Sequence, residues 1–338
     1  MKSKIKSYLF SLSPLMFNSD EINIGNIQSP KLGESNLNYK IEINQKQFVL
    51  RVNVDPNSPS KSHIEYNNLK FLERLDFAPK VYFYENNPEI LGGTFILIDF
   101  FEGQNLVNIK IDDNIIRKLA QLVATFHNQE ISNNFNTMYR PNDLSIQDFF
   151  SDIEKMHNYL IHKWKKYNLS EKFGNFLTNC RLRVQDNANL KSRITTLCHC
   201  DIAPQNVILC NDRLKLIDWE SLRIADPAID LAMLFDSFDF TVRKREYFLR
   251  NYLKIREDSN LEIRINEIWP IHILNIFYWS LVHVFEIKDK EFSPEFTSKQ
   301  SLTHHINYSK KMFEKCKEAK IFDNSILWDD FNILPKTI

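Results

Sequence analysis

The sequence predicts an α+β fold, rich in strands before residue 101 and mainly helical beyond residue 112. Three observations carry that expectation. A chain of 338 residues is long enough for about two domains. Strand-like runs gather before residue 101: Leu37, Tyr39, Ile41 and Ile43 alternate with polar neighbours, and Phe48-Val49-Leu50-Arg51-Val52 follows across a turn. Beyond residue 112 the apolar spacing becomes helical, interrupted by a short strand–turn–strand segment at 207–217.

At the N-terminus, Lys2, Lys4 and Lys6 precede an apolar patch that Ser11, Ser13 and Pro14 interrupt. The patch is too broken for a secretion signal and reads as a short surface helix. Residues 24–54 read as strands around a turn, and Pro56 to Pro59 as a loop. A helix begins near Ser60 or Ser62, with Ile64, Leu69, Leu72 and Leu75 at helical spacing, and Pro79 closes that segment. Lys80-Val81-Tyr82-Phe83-Tyr84 and Phe95-Ile96-Leu97-Ile98 supply two more strands. Asp99-Phe100-Phe101-Glu102-Gly103 follows, with Gly103 relaxing the turn. From Asp112 to Asn128, Ile115, Leu119, Leu122 and Phe126 form one stripe, widened by Ile116, Ala120 and Val123. His127 reads as structural or as facing the helix dipole. Residues 143–187 carry two helices, the first marked by Phe149, Phe150, Ile153, Met156 and Leu160. Asp226-Pro227 makes a turn, a helix starts at Asp230, and most of 241–338 is helical. The aromatic run from Ile271 to Phe285 reads as core. Its sharper reading is that some ring faces, with Asp236, Asp239 or Glu286, receive a cationic group.

Composition excludes more than it selects. Lys and Arg number 43 and Asp and Glu 43, so zero net charge gives no electrostatic case for nucleic acid or an anionic membrane as partner. No run approaches the ~18 apolar residues of a membrane span. Five scattered cysteines, an odd number, suit a reduced, cytoplasmic chain rather than a disulfide scaffold. Cys198-His199-Cys200 lacks a second Cys/His pair at metal spacing, so its thiols read as buried packing groups.

The chemistry concentrates in residues 196–231. His199, Asp201 and Asn206 form His-x-Asp-x-x-x-x-Asn. The apolar run Val207-Ile208-Leu209, the turn signal Asn211-Asp212 and the run Leu214-Lys215-Leu216-Ile217 then lead to Asp218. Two strands and a tight turn bring Asn206 and Asp218 to the same end of a hairpin. An amide oxygen and a carboxylate there are hard oxygen ligands, suited to Mg²⁺ shared with substrate phosphates. Asp201, on the loop just before, can accept a proton from a hydroxyl.

This constellation resembles the catalytic core of the protein-kinase-like superfamily, in which a His-Arg-Asp loop carries Asn five residues on and a metal-binding Asp follows a hairpin. Cys200 stands in the place of the Arg, and Asp218-Trp219-Glu220 replaces Asp-Phe-Gly. Asp226-Pro227-x-x-Asp230-Leu231-Ala232 follows with no room for a long activation loop. That combination resembles the aminoglycoside phosphotransferase and choline kinase family of small-molecule kinases, over about residues 25–290.

The resemblance implies a protein-kinase-like fold in two lobes, a small antiparallel-sheet lobe over residues 1–101 and a larger, mainly helical lobe over 102–338, with ATP and Mg²⁺ as cofactors and phosphoryl transfer to a hydroxyl of a small polar molecule. Asp201 would orient that hydroxyl and take its proton, and Asn206 and Asp218 would hold the metal. Leu32-Gly33-Glu34-Ser35-Asn36 would lie over the phosphates, with the Ser35 hydroxyl and backbone N–H groups as donors. Arg51, where many protein kinases carry Lys, would hold the α/β-phosphates. Glu65 would fix Arg51, with Glu73 as the competing partner. Asp99, Phe100 and Phe101 would meet adenine through their backbone. Asp230 would brace the catalytic loop, with His199 as a candidate donor. An amino-alcohol kinase of choline or ethanolamine type would share every catalytic residue and differ in its acceptor pocket. A protein kinase fits less well without a long activation segment, and a non-catalytic nucleotide-binding module fits poorly with Asp201, Asn206 and Asp218 all present.

Overall fold

A computed structural model describes residues 1–29, 31–32, 36–54, 60–131, 143–167, 171–186, 196–289, 302–323 and 325–328. Packing divides the chain into two compact units: Met1–Asn142, Leu197–Arg223 and Ser237–Glu257 form one, and Asp143–Thr196, Ile224–Asp236 and Asp258–Ile338 form the other.

Helix α1 (Lys2–Phe10) opens the first unit. Ile5 and Leu9, one turn apart, are fully buried, so the lysine-bearing segment is anchored by an apolar stripe rather than lying free on the surface. Strands β1 (Ile24–Ile27), β2 (Lys31–Leu32), β3 (Asn36–Ile43) and β4 (Lys46–Asn53) follow. After α2 (Lys61–Phe71) come β5 (Val81–Glu85), the short α3 (Pro88–Leu91) and β6 (Phe95–Asp99). The sheet runs in the order β1-β3-β4-β6-β5, with β2 also on β3, and its described pairings are antiparallel. Period-two alternation sends Tyr39, Ile41 and Ile43 of β3 and Phe48, Leu50 and Val52 of β4 into one core with Ile5 and Leu9. The other face carries Asn36, Asn38, Arg51 and Asn53, which the register sets side by side as Asn36↔Asn53 and Asn38↔Arg51. Helix α2 packs on β4, β5 and β6. Beyond β7 (Gln104–Asn105), α4 (Asp113–His127) begins where the Asp112 carboxylate accepts from the Ile115 N–H at 2.9 Å. The predicted stripe is buried, except that Leu122 is partly exposed. His127 is a core histidine whose Nδ1 lies 2.7 Å from the Tyr252 hydroxyl.

The chain continues through β8 (Asp143–Leu144), α5 (Ile146–Lys166) and α6 (Glu171–Asp186). A capping box of Ser145 and Asp148 starts α5. Then come β9 (Thr196–Cys198), β10 (Val207–Cys210), β11 (Arg213–Leu216) and β12 (Arg223–Ala225). Four helices follow: α7 (Pro227–Ser237), α8 (Val242–Tyr252), α9 (Leu261–Asp289) and α10 (Leu302–Glu318). Helix α7 starts three residues before the expected Asp230. Asp226 caps it, accepting from the Ala228 N–H at 2.9 Å, and Pro227 is preorganised for a first helical turn.

In the second unit α5, α6 and α10 pack against α9. Phe176, Phe277 and Phe313 meet there as a ring cluster, and a buried Lys163–Asp289 pair closes at 2.5 Å. By length and composition α9 is apolar enough to cross a membrane, contrary to the expectation that no run comes near this. Its most apolar window is 67% buried inside the molecule, so the hydropathy serves the core of this unit.

Candidate active site

The hairpin forms as its turn chemistry requires. Asn211 and Asp212 both take left-handed backbone, φ 45° and 67°, and β10 pairs with β11 from Val207↔Leu216 to Cys210↔Arg213. The Ile217 N–H donates to the Asn206 carbonyl at 3.0 Å. That bond closes the open end of the hairpin and sets Asn206 beside the residue preceding Asp218. Strand β7 adds to the sheet on β10, and Gly103 permits it: a Cβ there would stand 2.2 Å from the Leu209 carbonyl oxygen. The glycine thus serves a close backbone approach rather than relaxing a turn.

On the loop before the hairpin, His199 is fully buried and its Nε2 lies 3.0 Å from the Ile217 carbonyl. A carbonyl accepts, so Nε2 carries the proton. The imidazole packs 4.5 Å from the Trp219 ring. Cys200 is left-handed, φ 59°, an unusual backbone for that residue type and one found at strained functional loops. Next to it, Asp201 is oriented by Asn206, whose Nδ2 donates to the Asp201 carbonyl at 3.0 Å and to its Oδ2 at 2.8 Å. With its nitrogen committed to Asp201, Asn206 has its amide oxygen to offer a cation.

Asp218, also left-handed at φ 70°, belongs to a charged cluster centred on Arg51. Arg51 Nη1 donates to Glu65 at 3.1 Å and Nη2 to Asp218 Oδ1 at 2.7 Å, while Glu220 stands 3.6 Å away. Lys61 meets the other oxygen of Glu220 at 3.3 Å. Glu65 is therefore the partner of Arg51. Glu73 lies past the end of α2, where it faces Lys70 at 3.5 Å. The Asn68 side chain donates to the Trp219 carbonyl at 2.7 Å, and the Trp219 N–H bonds Glu65, so α2 is stitched to the segment carrying Asp218.

Burial pushes the Glu65 carboxyl up, to about 8. Arg51 pulls it down, and Asp218 and Glu220 push it up again. For Arg51, burial lowers the pKa, but the attraction of Asp218, Glu65 and Glu220 outweighs this and the guanidinium stays charged.

This donor set fits a divalent cation. Glu65, Asp218 and Glu220 each present a carboxylate oxygen, all within 4.8 Å of one another. The buried Glu220 Oε2 has no hydrogen-bond partner among the described residues. An unpartnered hard oxygen beside further carboxyl oxygens is what Mg²⁺ satisfies.

The remaining expected residues are spread more widely. Asp99 ends β6, and its carboxylate accepts from Lys46 at 2.9 Å and Tyr82 at 2.8 Å. Its backbone N–H donates to the Lys80 carbonyl at 2.9 Å, which commits that group to the sheet edge. Phe100 carries the Lys40 ammonium 3.9 Å above its ring, and Phe101 that of Lys215 at 5.7 Å. Asp230 is fully buried in the first turn of α7, in the second unit. Gly33, Glu34 and Ser35, expected over the phosphates, lie outside the described residues. Four neighbours of the cluster had no side-chain role from sequence: Asn36, named only as the end of the loop over the phosphates, Lys61, Asn68 and Glu220. For Glu220 a signal existed, since Asp218-Trp219-Glu220 spaces two acids around one buried ring.

Comparison with known proteins follows this geometry. The profile of the phosphotransferase enzyme family matches residues 26–262. A protein LicA homologue of Metamycoplasma hominis is 24% identical over 186 residues, 54% of this chain and 63% of that protein, so the match spans less than two thirds of that curated relative. The crystal structure of choline kinase LicA from Streptococcus pneumoniae superposes with a TM-score of 0.64 at 18% identity, covering 94% of this chain and 99% of that one. The ADP-bound aminoglycoside phosphotransferase APH(2'')-Ib gives a TM-score of 0.60 at 17% identity, covering 92% and 100%. These likenesses show the fold: kinase-like, with an antiparallel sheet and a mainly helical remainder.

Proposed function

The chain belongs to the phosphotransferase enzyme family, and from that premise we propose that it transfers the γ-phosphoryl group of ATP to a hydroxyl of a small polar molecule, with Mg²⁺ as cofactor. The observation that carries the reading is the Asp201 carboxylate held by Asn206, with Asp218 placed by the same hairpin and tied to Arg51. Residues 1–101 serve as the nucleotide lobe and 102–338 as the catalytic and acceptor lobe, in a cytoplasmic protein.

Asp201 positions the acceptor hydroxyl and takes its proton. Asn206, through its amide oxygen, and Asp218 hold the metal. Arg51, fixed by Glu65, holds the α/β-phosphates, and Ser35, Phe100 and Phe101 complete the nucleotide contacts. His199 supports the loop by its bond to the Ile217 carbonyl. Bound Mg²⁺–ATP supplies the electrophilic phosphorus and neutralises phosphate charge. The protein's own share is positioning and charge stabilisation.

An amino-alcohol acceptor of choline or ethanolamine type is the second reading, and one observation favours it. In the second unit the half-buried rings of Trp279 and Tyr308 meet edge to face, 6.3 Å apart at 88°. His283 lies 4.0 Å from Trp279, and Glu286 3.7 Å from His283. Burial, with the nearby His305, lowers His283 to about 4 against the pull of its bond to the Trp279 carbonyl, so it is neutral at pH 7. Aromatic faces with a carboxylate suit an ammonium group. Asp236 does not serve here, since Lys315 at 2.5 Å and His272 at 3.6 Å already surround it.

The test is acceptor-dependent ADP release across aminoglycosides, choline, ethanolamine and simple sugars. Turnover with an aminoglycoside or sugar supports the first reading. Turnover with choline or ethanolamine, with KM raised by Trp279→Ala, supports the second. No acceptor-dependent ADP release from any of them would overturn the enzymatic assignment.

A further inference from the structure

Asn36 ends the segment expected over the phosphates, and its buried side chain has no part in the motif or the reaction. It stands on β3 opposite Asn53, while Arg51 stands opposite Asn38, so Asn36 is the diagonal neighbour of Arg51 on the same sheet face. With its amide oxygen turned to the guanidinium, the orientation that satisfies both ends of the amide, Asn36 accepts from Arg51 Nε at 3.1 Å and from Nη2 at 2.8 Å. Glu65 takes Nη1 and Asp218 takes Nη2.

The three partners differ in kind. Glu65 and Asp218 are carboxyl groups, and Asp218 sits at a hairpin end where it is also the expected metal ligand. Asn36 is neutral and lies on a strand paired along its length, from Asn36↔Asn53 to Ile43↔Lys46. It can orient the cation without adding negative charge against an incoming phosphate, and it has no second ligand to serve. It also grips the Nε edge, which a lysine at position 51 would not possess.

We propose that Asn36 is the positioning residue for Arg51: it holds the Nε edge of the guanidinium, so that Arg51 keeps its aim on nucleotide phosphate when Asp218 turns to a cation. This rests on the nucleotide-binding reading above. It also accounts for Arg rather than Lys at this place in the strand.

The experiment is a binding cycle for ADP in the presence of EDTA, read by calorimetry, with the parent, Asn36→Ala, Arg51→Ala and the double variant. Asn36→Ala should weaken ADP binding about fivefold to tenfold, the scale of one hydrogen bond, and should change it less than about twofold once Arg51 is gone. The Arg51 Nε–H resonance in ¹⁵N NMR should be slow to exchange in the parent and lose that protection in Asn36→Ala. Equal weakening by Asn36→Ala with and without Arg51, or an unchanged Nε–H resonance, would overturn the proposal. Should Asn36→Ala not fold, Arg51→Lys decides: it should bind ADP about as weakly as expected for Asn36→Ala, and parent-like affinity would overturn the proposal. A parent that binds no ADP would instead overturn the nucleotide-binding reading, while the Nε–H resonance still reports whether Asn36 holds Arg51.

Discussion

One guanidinium among three carboxylates governs the chemistry at Arg51. Glu65, fully buried, shares Arg51 with Asp218 and Glu220. Its carboxyl is raised from 4.5 to about 8, by burial first, and the two neighbouring carboxylates add to the rise against the pull of Arg51. A carboxyl that holds its proton more tightly in the folded than in the unfolded chain stabilises the fold at low pH. That contribution is fully present below 4.5 and is lost as pH rises through about 8. Glu65→Gln should therefore flatten the decline in stability between these pH values in the nucleotide-free protein. Urea unfolding at a series of pH values measures it, and parallel profiles for parent and variant would show that Glu65 is charged throughout. Asn36 and Glu220 share this neighbourhood, and their importance is a matter of what surrounds each atom rather than of residue type.

At the level of elements, the hairpin and the segment laid against it decide where Asn206 and Asp218 stand. Gly103→Ala would force a Cβ into the Leu209 carbonyl, a backbone atom that cannot swing aside. The variant should lose about 1–3 kcal/mol of stability, the usual cost of overpacking. Parent-like unfolding in urea would mean that β7 can be displaced from β10 without cost. Elements were legible in the sequence where their cause is local. Asn211-Asp212 named its turn because these residues tolerate left-handed backbone. The stripe of α4 named its helix. The start of α7 was placed late because the cap, Asp226, was read as part of a turn. Asn36 was illegible for the opposite reason: its partner is fifteen residues away, and only strand register makes them neighbours. Likewise the apolar length of α9 cannot tell a core helix from a span until its packing is known.

At the scale of the whole molecule, a neutral chain matched over residues 26–262 by a phosphotransferase profile has one requirement: a residue that takes the acceptor's proton. Asp201 is the claimant, oriented by Asn206 and set on a loop with a strained residue before it. Asp201→Asn keeps the shape and removes the charge. Arg51, Asn206 and Asp218 remain, so affinity for Mg²⁺–ATP should stay near that of the parent. Turnover per folded molecule should fall by about 10²–10⁴, the contribution of a positioned acid–base group. The decisive measurement is therefore ATP affinity and kcat on the same folded Asp201→Asn preparation, with the acceptor that supports parental turnover. Retained affinity with that loss of kcat is the predicted result, and near-parental kcat would contradict the assignment of Asp201 as the catalytic base.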